Sequence, residues 1–211
     1  MSLPREVVYE NLFIKKLGPI PVQPNVLFNT INNNPKGHTC QFMDRLAQES
    51  LLEHCDYSWK AKDKRITVKC QYFDEIEKEL EHTGAFNLIC EENVAQLIVS
   101  KHLYETIYFK QPFICYAAVN YHKHLQTLGF KLYDNLIDYS FDSIENAAER
   151  LNELLKQIKV LTRYRNFDRL QNILKSQNAY NFNVMWHIIN NENNATLCPQ
   201  LNTLQKFKKL I

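Results

Sequence analysis

Between Phe86 and Tyr133 the chain alternates short apolar runs with stretches of helical pattern, and this alternation constrains the fold more than any other feature. Phe86 to Cys90 reads as a strand, Ala95 to Phe109 as a helix and Pro112 to Ala117 as a second strand. Asn120 to Leu128 follows as a short helix closed by Gly129, a residue suited to a left-handed C-cap. Phe130 to Tyr133 completes the series as a third, short strand. Strand, helix, strand, helix, strand in so short a span calls for parallel neighbours joined by crossovers. The expected class is therefore α/β: a Rossmann-like parallel sheet with helices on both faces and a helical C-terminal region.

The flanks extend this plan. Val26 to Thr30 reads as a buried strand running into the loop Asn32 to Gly37, and a helix is predicted from Thr39 to Glu53. Ser58 to Arg65 is polar and basic, Ile66 to Val68 a short strand, and Tyr72 to Glu81 an acidic helix stopping near Gly84. Asp142 with Glu145 makes a capping signature for a long helix whose apolar face runs from Ile144 through Leu151, Leu155 and Ile158 to Leu161. Beyond Asn166 two further helices are expected, with an Asn-rich break at Asn190 to Asn194. With no repeat and no linker, the division is an irregular, proline-rich arm over 1–24, a Rossmann-like domain over 25–165, and a helical extension over 166–211 packed on that domain.

Composition removes several classes of function. Four glycines (Gly18, Gly37, Gly84 and Gly129) cannot build a Walker loop or a dinucleotide fingerprint. A net charge of +2 gives no electrostatic pull towards nucleic acid. The small basic clusters Lys60 to Arg65 and Lys206 to Lys209 read as solvated faces. No apolar run approaches the ~20 residues of a spanning helix, and Met1 to Arg5 has no signal-peptide character, so no integral membrane segment and a cytoplasmic location are expected. None of the six cysteines lies within fourteen residues of another, so there is no C-x-x-C pair to chelate zinc. Cys90 and Cys115 fall in apolar runs, where a free thiol behaves as a small hydrophobe.

Nucleophile elbows, H-E-x-x-H, EF-hand loops and a D-x-D pair are missing, and no metal or cofactor is expected. His122-Lys123-His124 has i,i+2 spacing, which points the two rings apart on a helix and reads as solvated surface. The fold itself supplies one candidate site. Open α/β sheets bind ligands beyond the carboxyl ends of their strands, where the strand order reverses. Glu91 and Glu92 follow the strand ending at Cys90, and Val119 to Tyr121 follow the one ending at Ala117. Carboxylates there either accept hydrogen bonds from ribose or sugar hydroxyls or begin an exposed turn.

Several of these pieces resemble, in order and spacing, the donor-binding half of a glycosyltransferase-like group related to α1,3-fucosyltransferases, frequent in viruses and bacteria. That pattern has a strand ending in glutamate, Thr-Glu-Lys at a helix start, Pro-Phe opening the next strand, Leu-Gly-Phe, an aspartate after a short strand and an arginine in the long helix. The chain supplies Glu91 or Glu92, Pro112-Phe113, Leu128-Gly129-Phe130, Asp138, Asp142 and Arg150. Asn32 to His38 is similar to the family's Asn-Arg-Arg-Pro-Arg-x-His loop, keeping Pro35 and His38, with Lys36 in place of the third arginine. The likeness spans Val26 to Leu161. It departs at Ser100-Lys101-His102, which stands where Thr-Glu-Lys belongs, at Asn33 and Asn34 in place of two arginines, and at Thr39.

The resemblance implies a donor site of Lys36, His38, Glu91, Glu92, Lys101 and His102, holding a nucleoside diphosphate sugar whose hexose passes to an unknown acceptor. A departing diphosphate needs cations or helix N-termini, and the departures leave that work to Lys36, His38, Lys101 and His102. The alternative is a binding or scaffold protein that keeps the fold without the chemistry.

Overall fold

The computed structural model describes residues 26–32, 37–59, 84–91 and 93–190. Four strands, β1 (Val26–Asn32), β2 (Cys55–Trp59), β3 (Gly84–Cys90) and β4 (Phe113–Tyr116), form one sheet in the order β2-β1-β3-β4. Every pairing is parallel. All residues of β3 and β4 are buried, as strands covered on both sides must be. The predicted adjacency of the strands at Phe86 and Pro112 is met: Asn87 pairs with Phe113 and Cys90 with Tyr116.

Helices cover both faces, and the fold is the expected α/β, Rossmann-like one. Side chains alternate along a strand, so Tyr116 and Asn87 face opposite sides of the sheet. On the first side α1 (Gly37–Gln48) stacks Phe42 on Tyr116, ring centroids 5.8 Å apart. Such a pair adds about 0.5–1.5 kcal/mol to the burial of its rings. On the other side α2 (Lys101–Tyr108) faces Asn87 and Ile89 through His102 and Thr106. Beyond β4 come α3 (Tyr121–Thr127), α4 (Ala147–Leu161) and α5 (Phe167–Asn190). Gly129, at φ 95°, ends α3 in the left-handed conformation its sequence position suggested.

Several boundaries differ from the sequence reading, each for a local reason. The helix predicted over Thr39–Glu53 ends at Gln48, because Ser50 is left-handed (φ 55°) and a 3₁₀ turn, Leu51–His54, leads into β2. That strand begins just past the predicted helix and runs into the segment read as polar from Ser58. It pairs with β1 at the edge of the sheet, Phe28 to Cys55 and Thr30 to Tyr57. The helix predicted from Ala95 starts only at Lys101. Asn93 accepts from the Ala95 amide at 2.8 Å, holding a turn, and Ser100 caps α2 by accepting from the Leu103 amide at 3.3 Å.

Phe130 to Tyr133 is not a strand. Its backbone is paired instead by side chains of α5: Asn181 accepts from the Lys131 amide at 2.8 Å and donates to the Lys131 carbonyl at 2.9 Å, while Gln177 donates to the Leu132 carbonyl. Gly84 opens β3, where a Cβ would come within 2.6 Å of the Asn29 nitrogen. The predicted cap of α4 also moves. Asn146 accepts from the Ala148 and Glu149 amides, whereas Asp142 serves the start of α3. The predicted elements at Ile66–Val68 and Tyr72–Glu81, the N-terminal arm, the basic clusters around Lys62 and Lys208 and the Asn-rich break from Asn191 lie outside the described residues. Among the described residues no helix is long and apolar enough to cross a membrane.

Candidate functional site

The order β2-β1-β3-β4 reverses between β1 and β3: the chain leaves β1 towards β2 on one side and continues from β3 towards β4 on the other. Loops leaving the carboxyl ends of β1 and β3 therefore diverge, and the space between them is where folds of this kind place a ligand. His38 begins α1 just after β1, and Glu91 is the first residue after β3. The two meet, with His38 Nε2 3.0 Å from the Glu91 carbonyl oxygen.

Glu91 is only 1% exposed. Its amide prolongs the ladder by donating to the Tyr116 carbonyl at 2.9 Å, which fixes the backbone and turns the side chain under the start of α2. There Oε1 accepts from the Tyr121 hydroxyl and from the Ser100 amide at 3.4 Å. Oε2 is equally buried and has no hydrogen-bond partner among the described residues. Burial pushes the carboxyl above the usual range, against the opposing pull of the bonds from Tyr121 and Ser100 and of His102. Burial, then the adjoining Glu91 charge, raises the Tyr121 phenol well above its ordinary value, so the proton between them rests on the phenol.

Of the other donor-site residues, His102 is half-buried in the first turn of α2. Its Nδ1 lies 3.6 Å from Glu105 Oε2, and its ring lines a small cleft with Asn29, Asn87, Thr106 and Gln111. Asn87 donates to Gln111 across that cleft at 2.5 Å. Lys101 is the first residue of α2, its side chain outside the described residues; Lys36 and Glu92 lie outside them altogether. The structure thus gathers His38, Glu91 and the capped end of α2 at the switch point.

The residues singled out as resembling the family pattern have structural work. Arg150, 3% exposed, donates only to backbone carbonyls: Ala117 at 3.0 Å, Ile144 at 2.5 Å, Glu145 at 3.2 Å and Val94 at 3.3 Å. One guanidinium thereby ties the loop after β3 to the loop after β4 and to the entry of α4. Asp138 caps the 3₁₀ turn Tyr139–Ser143 by accepting from the Ser140 amide at 2.9 Å.

Sequence reasoning missed a second constellation. His122 is not solvated but 1% exposed. Its Nδ1 lies 2.8 Å from Asp142 Oδ1, and that carboxylate also accepts from the backbone amides of His122 at 3.0 Å and Lys123 at 3.1 Å. Tyr139 and Phe141 pack on the ring, at 4.8 and 5.3 Å between centroids, and Nε2 has no hydrogen-bond partner among the described residues. Burial would raise Asp142, but the bonds from the His122 ring and the two amides outweigh it and hold the carboxyl below its ordinary value. Twenty residues separate the two, so no local motif announces the pair. Among the described residues no three His, Cys, Asp or Glu side chains gather as a metal site would require.

No protein-family model matches this chain, and no curated protein or solved structure matches it either.

Proposed function

We propose that the chain is a glycosyltransferase-like protein whose switch-point crevice takes a nucleoside diphosphate, free or linked to a hexose. The observation that carries this reading is the meeting of His38 and Glu91, 53 residues apart, at the reversal of strand order. Both belong to the donor site implied by the resemblance, and Glu91 reaches the capped start of α2, whose amides favour an anion. Transfer of the hexose would require a general base positioned at the acceptor hydroxyl.

A second reading, a binding protein that does not turn over, is favoured by one specific observation. The Glu91 Oε1 is taken up inward by Tyr121 and Ser100 and is not offered to a reacting substrate atom. Calorimetry and thermal shift with a panel of nucleoside diphosphates and their sugars test the shared core of both readings. A one-site ligand at 100 times its dissociation constant stabilises a fold by ~2.7 kcal/mol. Absence of binding at millimolar ligand removes the nucleotide site from both readings and leaves a scaffold that keeps the fold without the chemistry. Binding without release of free sugar or transfer to any acceptor selects the second.

A further inference from the structure

A buried carboxyl already occupies the place where an anion would dock. Glu91 Oε1 accepts from the Ser100 amide at the N-cap of α2, a helix of eight residues. Oε2 of the same group, inside a side chain 1% exposed, has no partner among the described residues. An ionised Glu91 would repel a phosphate at this helix end, since two like charges in a site closed to water cannot both persist at low cost. A protonated Glu91 does the opposite. Its Oε2–H gains the acceptor it lacks from a phosphate oxygen, and the amides of the first turn gain their anion.

We infer that an oxyanion of the phosphate type binds at the first turn of α2 together with one proton, which Glu91 takes up and uses to donate a hydrogen bond from Oε2 to the anion. This rests on the reading of the crevice as a diphosphate site and adds its regulation. The site loses its anion as pH rises, through a group of the protein and not of the ligand. Burial, which pushes the Glu91 carboxyl upward, moves the exchange above the ordinary carboxylate range.

Other titratable groups face Glu91. Tyr121 from α3 and the thiols of Cys90 and Cys115 are all raised by burial and stay neutral through this range. His38 from α1 touches its carbonyl, and His102 from α2 acts on its charge. Protonation of either histidine also favours an anion, so the test must separate them from Glu91.

The probe is sulfate, a tetrahedral dianion with no proton of its own to exchange near neutrality. Its affinity for the full chain is followed by NMR titration between about pH 6 and about pH 8. Uptake of one proton weakens wild-type binding about tenfold per pH unit above the carboxyl's pKa. Glu91→Gln keeps the shape and removes the charge, so near pH 8 it binds sulfate at least about tenfold more tightly than wild type. His102→Gln weakens binding but leaves the Glu91 part of the slope. Tyr121→Phe removes a donor that favours the carboxylate, and it carries wild-type binding to higher pH. This variant decides the matter if the glutamine variant fails to fold. Wild-type binding near pH 6 with Glu91→Gln or Tyr121→Phe indistinguishable from wild type near pH 8 overturns the inference and leaves the proposed crevice standing. Failure of wild type to bind sulfate overturns the inference as well, and nucleoside-diphosphate binding then shows separately whether the crevice reading survives.

Discussion

Asp142 holds His122 twice, by the ring Nδ1 at 2.8 Å and by the backbone amide at 3.0 Å, and so pins the start of α3 to the 3₁₀ turn Tyr139–Ser143. The Lys123 amide is a third donor to the same carboxylate. Replacing Asp142 with alanine strands two buried donors of His122 and the half-buried Lys123 amide. A hydrogen bond to a charged group contributes ~1.5–3 kcal/mol, so the variant should lose roughly 3 kcal/mol or more in denaturant unfolding. A loss under about 1 kcal/mol would contradict the role given to this pair.

The same carboxylate sets an acid limit. The folded-state pKa of Asp142 lies below its ordinary value of 3.8, so its stabilisation is complete above that value and is lost as pH falls through the lower folded one. Asp142→Asn should be less stable than wild type at neutral pH, and the gap should narrow as the solution is acidified below the ordinary carboxylate range. A gap that stays constant with pH would show that the charge is irrelevant.

Glu91 has the opposite sign. Its folded pKa is raised above the ordinary 4.5, so its contribution is fully present below that value and is lost as pH rises through the folded one. Glu91→Gln should therefore gain melting temperature relative to wild type on going from mildly acidic to mildly alkaline buffer. Thermal melts across that range measure it, and a difference independent of pH would mean that Glu91 ionises without cost.

Arg150 makes its four hydrogen bonds to carbonyls of three separate segments. Arg150→Lys keeps the charge but not the planar fork, and it should lose about 2 kcal/mol or more. Amide exchange should accelerate around Val94 and Ile144 before it does in β3. Uniform exchange in the variant would mean that the guanidinium does not couple these loops.

The sheet was legible in the sequence where burial is total. The continuous apolar runs at β3 and β4 could be nothing but strands or buried helix, and their spacing required parallel neighbours. β2 was not legible, because an edge strand such as Cys55–Trp59 need bury only part of its surface and Asp56 and Ser58 break the pattern. Local capping signals gave the wrong helix for Asp142, since a carboxylate near a helix start can serve any chain end that reaches it. At the site, the position of Glu91 followed from the end of a strand, while His38 came only from the resemblance of the Asn32 to His38 loop. The inward turn of Glu91 did not follow, because it depends on Tyr121, thirty residues away.

If the crevice between the ends of β1 and β3 takes a nucleoside diphosphate, as proposed, the ligand should protect the helix starts that follow those strands. Hydrogen–deuterium exchange of the wild-type chain near pH 6, with and without millimolar nucleoside diphosphate, tests it most directly. Slowed exchange is expected at residues 37–40 and 98–104, where α1 and α2 begin, with little change along α5. Unchanged exchange at both helix starts, or protection confined to α5, would contradict the proposal.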